Sequence, residues 1–431
     1  MSKEENRKNF SKYVSQNILG MIGFSCYVLA DSYFISIAKG ADGLTALNLV
    51  MPLYSIIFSI GEMIGVGSAI RYAISKIKKD ADADDYFWNA LIWCILSSML
   101  FVFAGIFFSA DIMRVLGADE HIVAVGNNYT KIFMCFAPMF MCNYVTNAFV
   151  RNDGAPGIAM SATLFSSLFN IVFDYILMFP MNLGMEGAAL ATALSPIIGM
   201  GICSIHFFSK KSSVRLVVCK PSVRKLVAGS QLGVSAFVGE MSSAVITLAF
   251  NFVILKLAGN VGVAAYGVVA NIAIVTTAVF NGVAQGSQPL ISSCFGRGDK
   301  DGCTQLKRMG YTTAFVLAAV MYSILFIFAG QFVEVFNSEG SEMLRLYATE
   351  GVKLYFIGIF FAGINIVGGG AFSATEDAFK AAVVSVARGF VLILGAVFVM
   401  SALFGMTGVW LAYAVAEGIT TFIMLVMVLR V

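Results

Sequence analysis

The chain has 431 residues, of which 59% are hydrophobic and only 12% are charged, and its formal net charge is +3. Soluble domains carry roughly 25% charged residues, so this composition, with a mean hydropathy of +0.85, argues against a soluble globular protein. The apolar residues form runs of about 20 or more, which is the length that a helix needs to cross a bilayer. Because the runs show no alternation of period two, they predict membrane-spanning helices and exclude a β-barrel.

Twelve such runs follow one another along the chain, and we predict an all-α polytopic membrane protein with twelve transmembrane helices. An even number of spans places both termini on the same side of the membrane. The first run continues past Asp31 and is too long for the apolar region of a signal peptide, so we expect no cleavable signal. The predicted spans are 13–37, 45–72, 86–109, 122–149, 157–179, 187–208, 226–256, 262–293, 309–331, 344–372, 379–402 and 407–429.

Basic residues are distributed unevenly between the two sides that these spans define. If the N-terminal segment is cytoplasmic, 22 of the 28 Lys and Arg residues lie on the cytoplasmic side, Arg151 and Arg430 among them. Cytoplasmic loops of membrane proteins carry an excess of Lys and Arg. The distribution therefore predicts a multi-pass protein of a bacterial or archaeal cytoplasmic membrane, with both termini in the cytoplasm.

The two halves of the chain repeat short motifs in the same order, about 220 residues apart. The matching pairs are Gly67 with Gly286, Ser68 with Ser287, Gly184 with Gly405, and Gly187 with Gly408. We expect two pseudo-symmetric six-helix bundles, a first lobe at 1–208 and a second at 226–431, joined by a basic cytoplasmic linker at 209–225. Repeats of this kind are typical of transporters that rock one lobe against the other around a central substrate path.

Polar residues at similar depth in the first lobe form a candidate ion site. A charged side chain inside a bilayer costs at least about 2.5–3.5 kcal/mol, so it indicates a function. Asp31 in span 1 and Asp174 in span 5 both lie on the order of 10 Å below the outer surface, Asn170 is one turn from Asp174, and Thr192 in span 6 is at comparable depth. Oxygen ligands suit Na⁺ or a proton. A hydrogen-bond network that only packs helices together is the alternative, and the spacing favours neither.

A second group of polar residues is predicted to line the path between the lobes. Carboxylates at Glu62 in span 2 and Glu240 in span 7 would attract organic cations. For Arg388 in span 11, a structural role in a buried ion pair or near the membrane interface is preferred over a role in the cavity. Glu417 in span 12 is assigned no role. The complete set of cavity candidates is Glu62, Glu240, Asn251, Gln288, Asn365 and Arg388.

Several stretches resemble the multidrug and toxic compound extrusion (MATE) family, in order along nearly the whole chain. They are Ala30-Asp31-Ser32, Arg151-Asn152-Asp153-Gly154-Ala155-Pro156, Asn170-x-x-x-Asp174, Gly184-x-x-Gly187-Ala188-Ala189-Leu190-Ala191-Thr192 and Gly286-Ser287-Gln288-Pro289-Leu290. The resemblance implies twelve helices in two bundles, a V-shaped central cavity, and drug export driven by entry of Na⁺ or H⁺. It also implies a cation site in the first lobe and so favours the ion over the packing network. The matching positions are Asp31, Asn170, Asp174, Ala188 and Thr192.

The sequence favours one of three classes of function. The preferred one is a cation-coupled exporter of bulky organic compounds that works as a monomer. The alternative is a flippase of the same superfamily for a lipid or a lipid-linked sugar. Such flippases carry more basic residues along their cavities, and the sequence offers Arg388 as the only buried basic candidate. An enzyme is not expected, because the spans contain no Ser/His or His/Asp pairing and no phosphate-binding loop. We expect no cofactor besides the coupling ion and no nucleic-acid partner.

Overall fold

The structure is a computed structural model, and it describes residues 3–336 and 341–429. Within these two ranges every regular element is a helix. Arg430, which we counted with the cytoplasmic basic residues, and Val431 lie outside the described residues.

The described residues contain twelve membrane crossings. Nine helices are long and apolar enough to cross a membrane, and the bent pair Glu120–Cys135 and Ala137–Asn152 forms a tenth. Two of the nine, Val223–Gly296 and Ala378–Leu429, are each too long for one crossing and are broken once by a glycine with non-helical backbone angles. Counting each of them as two crossings gives the number that the sequence predicts.

We number these crossings α1 to α12. Helix α1 begins at Lys3 and not at residue 13, because the helix continues beyond the apolar run. The bounds are α1 Lys3–Gly40, α2 Asp42–Lys78, α3 Asp85–Val115, α4 Glu120–Cys135 with Ala137–Asn152, α5 Pro156–Met178, α6 Gly184–Phe207, α7 223–258, α8 260–296, α9 Lys300–Ile327, α10 Glu342–Ala374, α11 378–404 and α12 406–429. A short helix, Ala329–Phe336, follows α9. No helix lies between Phe207 and Val223, where the linker is predicted.

The two bundles, α1–α6 and α7–α12, share their backbone turns as well as their order of helices. Residues with positive φ recur at equivalent connections in both halves, and the pairs are Gly40 with Gly259, Lys79 with Gly298, Gly154 with Glu376, and Gly184 with Gly405. Glycine adopts this region without steric cost. The repeated glycine at residues 184 and 405 is therefore required by the same tight connection between the last two helices of each bundle.

Each bundle has its own hydrophobic core, but the beginning of the first helix of each bundle packs into the core of the other bundle. Phe10 and Val14, at the beginning of α1, are buried in the core of the second bundle. Leu232, near the beginning of α7, is buried in the core of the first bundle. The crossing is reciprocal, as the repeat requires, and it ties the two bundles together where α1 and α7 begin.

Glycines permit very close contact between helices of different bundles at this place. A Cβ atom on Gly67 of α2 would lie 2.1 Å from the backbone oxygen of Gly229 in α7, and a Cβ atom on Gly286 of α8 would lie 2.8 Å from Cα of Val14 in α1. No side chain fits at either position. The motif shared by Gly67 and Gly286 thus has a packing cause that the sequence pattern alone did not reveal.

Polar contacts join the bundles on the same side of the molecule. We call this side, which holds the beginning of α1 and the segment between α6 and α7, the N-terminal face. Arg71 at the end of α2 forms an ion pair with Glu376 between α10 and α11. Asn6 Nδ2 donates to Gln305 Oε1 of α9 at 3.2 Å. We call these contacts, together with those of Gly67 and Gly286, the N-terminal gate.

Candidate ion site and central cavity

The five predicted ion-site residues all lie inside the first bundle, in the half of the bundle away from the N-terminal face. All five are buried, with Asp31 6% exposed and Asp174 0% exposed. Asn170 connects α5 to α6. In the amide orientation that satisfies both of its ends, its nitrogen donates to Asp174 Oδ2 at 3.2 Å, and its oxygen accepts from the backbone nitrogen of Thr192 at 3.2 Å and from its hydroxyl at 3.1 Å. Ala188 lies one turn before Thr192 on α6.

Two carboxylate oxygens in this cluster lack hydrogen-bond partners. Oδ1 of Asp31 and Oδ1 of Asp174 are both buried and unpaired, and the two carboxyl groups are close enough for their charges to interact. An unpaired buried carboxylate is costly, so such a site favours uptake of a cation or a proton. The described residues contain no group of three or more His, Cys, Asp and Glu that could hold a metal ion. The set of carboxylate, amide and hydroxyl oxygens fits a hard monovalent cation.

Three tyrosines that the sequence pattern did not identify surround the site. The hydroxyls of Tyr54 in α2 and Tyr129 in α4 form a hydrogen bond, and both rings lie within electrostatic range of the two aspartates. Tyr27, one turn before Asp31 in α1, lies within electrostatic range of both aspartates and of Glu240 in the second bundle. A phenol inside an apolar run gives no signal of its direction, which is why the sequence did not identify these residues.

A cavity lies between the two bundles and contains about 1700 Å³ of empty space, including solvent at its mouth. Five of the six predicted cavity residues line it, namely Glu62, Glu240, Gln288, Asn365 and Arg388. Asn251 does not line it, although we expected it there: this residue is half-buried on α7, about three turns beyond Glu240. Tyr27 is part of the cavity wall, so it joins the cavity to the ion site.

Arg151 corrects one of our expectations. The sequence placed it in a cytoplasmic turn and left Arg388 as the only buried basic candidate, but Arg151 is 4% exposed and lines the cavity. Its Nη1 donates to Gln285 Oε1 of α8 at 2.7 Å and to Asn17 Oδ1 of α1 at 3.4 Å. Gln285 Nε2 in turn donates to Glu62 Oε1 at 3.3 Å. The last turn of α4 points between the bundles, so this guanidinium contacts the other bundle and not the membrane surface.

Arg388 takes part in a buried ion pair and also lines the cavity. Its Nη2 donates to Glu417 Oε1 at 2.7 Å. Asn365 Nδ2 donates to Glu417 Oε2 at 2.7 Å, and the hydroxyl of Thr421 donates to Asn365 Oδ1 at 3.0 Å. Glu417, to which the sequence assigned no role, is therefore the partner that permits burial of Arg388.

The fixed charges of the cavity leave an excess of one carboxylate when its acids are ionised. Glu62 and Glu240 face one uncompensated guanidinium, Arg151, because Glu417 neutralises Arg388. Aromatic side chains, among them Phe24 and Phe58, complete the wall. With both acids ionised, such a wall suits a cationic ligand through its charge and through the faces of its rings.

Two helical bundles around one cavity, with buried acids in the first bundle, define a multi-pass membrane transporter. The chain belongs to the MatE family, whose model matches residues 17–176 and again 236–399, once in each bundle. Both matches agree with the internal repeat.

Curated relatives cover most of the chain. The multidrug export protein MepA of Staphylococcus saprophyticus is 26% identical over 409 residues, which is 93% of this chain and 89% of the relative. MepA of Staphylococcus aureus (strain MRSA252) is 27% identical over 414 residues, with the same shares of the two chains.

Solved structures support the fold. One, described as the outward-facing conformation of a multidrug resistance MATE family transporter of the MOP superfamily, superposes with a TM-score of 0.92 at 20% identity and covers 99% of this chain and 96% of that one. A MOP superfamily transporter from Pyrococcus furiosus, described as having a binding pocket of reverse polarity, superposes with a TM-score of 0.90 at 20% identity, over 98% and 95% of the two chains.

Proposed function

We propose that this protein exports bulky organic cations by antiport with Na⁺ or H⁺ through alternating access. The observation that carries the proposal is the pair of unpaired buried carboxylate oxygens of Asp31 and Asp174, next to a cavity lined by Glu62 and Glu240. The relatives named multidrug export proteins, which match 93% of the chain, support export of several different drugs.

In this proposal the coupling ion binds between Asp31 and Asp174, with Asn170, Thr192 and the backbone at Ala188 as further ligands. The two carboxyl groups are close together, so a proton and Na⁺ compete for the same oxygens. Ion binding favours the arrangement of α1 and α5 that brings these oxygens together, and the ion shifts the conformational equilibrium only by its difference in affinity for the two states.

Helix α1 offers a direct physical connection between the ion site and the N-terminal gate. It runs as one helix from Lys3 to Gly40, with Asp31 at the ion site and Phe10 and Val14 buried in the second bundle. A movement of α1 that follows ion binding at Asp31 must therefore change how the two bundles contact each other. We propose this helix as the lever of the transport cycle.

The distribution of basic residues supports a cytoplasmic location for the N-terminal face, with both termini in the cytoplasm of a bacterium or archaeon. With that orientation the closed N-terminal gate blocks the cytoplasmic end of the cavity, and this conformation is the one that releases substrate to the outside. One chain contains both bundles and the complete cavity wall, which supports a monomer as the working unit.

The burial of Arg151 in the cavity favours a second candidate function, a flippase for an anionic lipid or lipid-linked sugar. A guanidinium is well suited to phosphate. Against it stands the balance of charge, because Glu62 and Glu240 outnumber the one uncompensated base. Two assays in the same vesicles distinguish these functions. An exporter of organic cations should move a cationic dye, whereas a flippase should move a labelled lipid-linked sugar.

The test is efflux of a cationic dye from proteoliposomes under separately imposed Na⁺ and pH gradients. We expect Asp31→Asn and Asp174→Asn each to abolish gradient-driven efflux. Asp111→Asn is the matched control, because that carboxylate is exposed and pairs with Arg114 outside the bundle core. Full transport by both aspartate variants would remove the ion site, and lipid translocation without dye efflux would favour the flippase.

A further inference from the structure

The second bundle does not repeat the ion site of the first. The repeat aligns Gly40 with Gly259 and Gly184 with Gly405 and so identifies the equivalent positions. The pairs are Asp31 with Phe250, Asn170 with Val391, Asp174 with Gly395, Ala188 with Val409, and Thr192 with Tyr413. At these positions the second bundle offers no carboxylate, so an equivalent ion site is absent there.

The second bundle instead buries a carboxylate elsewhere, at Glu417 of α12, whose side chain is 3% exposed. Arg388 Nε lies 3.0 Å from Oε1 and 3.3 Å from Oε2, Nη2 lies 2.7 Å from Oε1, and Asn365 completes the shell with its hydrogen bond to Oε2. Thr421 holds the Asn365 amide. The cluster therefore combines a carboxylate, an amide and a hydroxyl, as the first bundle does, but a guanidinium saturates its carboxylate.

The backbone of α11 departs from α-helical geometry at Arg388. Residues Ala387–Val391 form a π-helical turn, a rare feature that occurs frequently at functional sites. The turn places Arg388 so that its head reaches Glu417 while its side chain, 16% exposed, still lines the cavity. The other titratable groups that interact with Glu417 are the phenols of Tyr355 and Tyr413, whose rings stack 4.4 Å apart.

We propose that Arg388 is a tethered cation that permanently fills the cation position beside Glu417. A guanidinium stays protonated at all relevant pH values, and a buried pair with several hydrogen bonds does not separate without leaving an uncompensated charge. Glu417 therefore exchanges neither Na⁺ nor protons with the cavity, and coupling runs through the first bundle. This inference rests on the proposed ion coupling. It states that Arg388 prevents Glu417 from acting as a second coupling site.

The first test measures cation binding without transport, in a protein whose first-bundle site is silenced by Asp31→Asn and Asp174→Asn. Thermal unfolding is recorded with NaCl or choline chloride at two pH values. With Arg388 intact, Glu417→Gln should leave the response to cations unchanged. Arg388→Met should make the protein newly stabilised by Na⁺ or protons. Above the Kd of the cation, the apparent folding constant should rise about tenfold for each tenfold rise in cation concentration.

The matched control is Arg388→Met combined with Glu417→Gln, which should lack the new response. Glu240 is present in both variants, so any contribution from its titration cancels in the comparison. The proposal is overturned if the protein with intact Arg388 shows a cation response that Glu417→Gln removes. It is equally overturned if Arg388→Met responds to cations no more than the matched control does.

A second measurement covers the case in which Arg388→Met alone does not fold. The double variant Arg388→Met/Glu417→Gln removes both charges together, and replacement of a whole buried ion pair by neutral groups is often tolerated. We expect the number of cations that enter per exported substrate to equal that of the wild type, whatever the rate. A smaller number would show that Glu417 takes part in coupling and would refute the proposal.

Failure of this inference can be distinguished from failure of the proposed function. The unfolding comparison depends only on Arg388 and Glu417, and it involves no transport measurement. Undiminished efflux after Asp31→Asn and Asp174→Asn would instead reject the proposed function. Arg388→Lys, which keeps the positive charge, should show no new cation response in the silenced protein, and a new response would contradict the tethered-cation role.

Discussion

The glycine contact between α2 and α7 leads to a quantitative prediction for Gly67→Ala. The added Cβ would lie 2.1 Å from the backbone oxygen of Gly229 and 2.6 Å from the backbone nitrogen of Gly233. Both neighbours are backbone atoms, so no side-chain rotation relieves the overlap. At the closer of the two contacts, the helices must separate by about 1.4 Å before the distance returns to an ordinary value of about 3.5 Å.

The free-energy cost falls on the conformation in which the N-terminal gate is closed, because α2 and α7 belong to different bundles. Overpacking of this kind costs about 1–3 kcal/mol. The gain in helix propensity from glycine to alanine, about 1 kcal/mol, applies to both conformations and cancels. The equilibrium between closed and open gates should therefore shift towards the open state by about 5- to 150-fold.

The shift can be measured as a distance distribution between spin labels in a cysteine-free version of the protein. Lys79, just after α2, and Lys300, at the start of α9, are both exposed, belong to different bundles and can carry the labels. Gly67→Ala should increase the population with the longer distance. Access of a cavity-binding dye from the N-terminal face should rise in parallel.

Gly201→Ala is the control, because a Cβ at this position in α6 would meet nothing within 4 Å. It changes helix propensity in the same way and should leave the distances unchanged. If Gly67→Ala gave the same distribution as Gly201→Ala, the contact would not hold the gate closed, and the reasoning from close packing would be wrong.

Two further predictions concern single charges. Glu240→Gln should lower efflux of cationic dyes by about tenfold, for a lost charge interaction of about 1.4 kcal/mol, and should spare neutral substrates; equal loss for both would indicate a structural role. At the exposed beginning of α4, before the apolar run that starts at residue 122, the hydrogen bond to Asp42 raises the pKa of His121, so the charged pair is lost as pH rises through the raised value. Asp42→Asn should lower that pKa in histidine-selective NMR, and an unchanged titration would contradict the pairing.

The sequence alone predicted the spans because hydropathy and length are local properties. The rise per residue also placed Asp31, Asp174 and Thr192 at one depth, and the structure brings them together. The repeat could be read from motifs, since tight connections demand glycine at the same points in both halves, as at Gly184 and Gly405.

Lateral contacts required the tertiary structure. Depth along a span says how far a residue lies from the membrane surface, but not which neighbouring helix it faces, because that depends on how all twelve helices pack. Arg151 illustrates the difference: its sequence position beside a turn indicated the surface, whereas the packing of α4 against α8 buries it against Gln285. Glu417 gained its role in the same way, through a partner on another helix.

The sequence by itself thus determined the class of protein, its twelve helices, its internal repeat and the acids whose burial in a bilayer is costly enough to indicate a function. Only the tertiary structure decided which of those acids keep unpaired oxygens and which are neutralised by a guanidinium. The physical reason is that the cost of a buried charge depends on the few atoms within hydrogen-bond distance, and those atoms come from segments far apart in the chain.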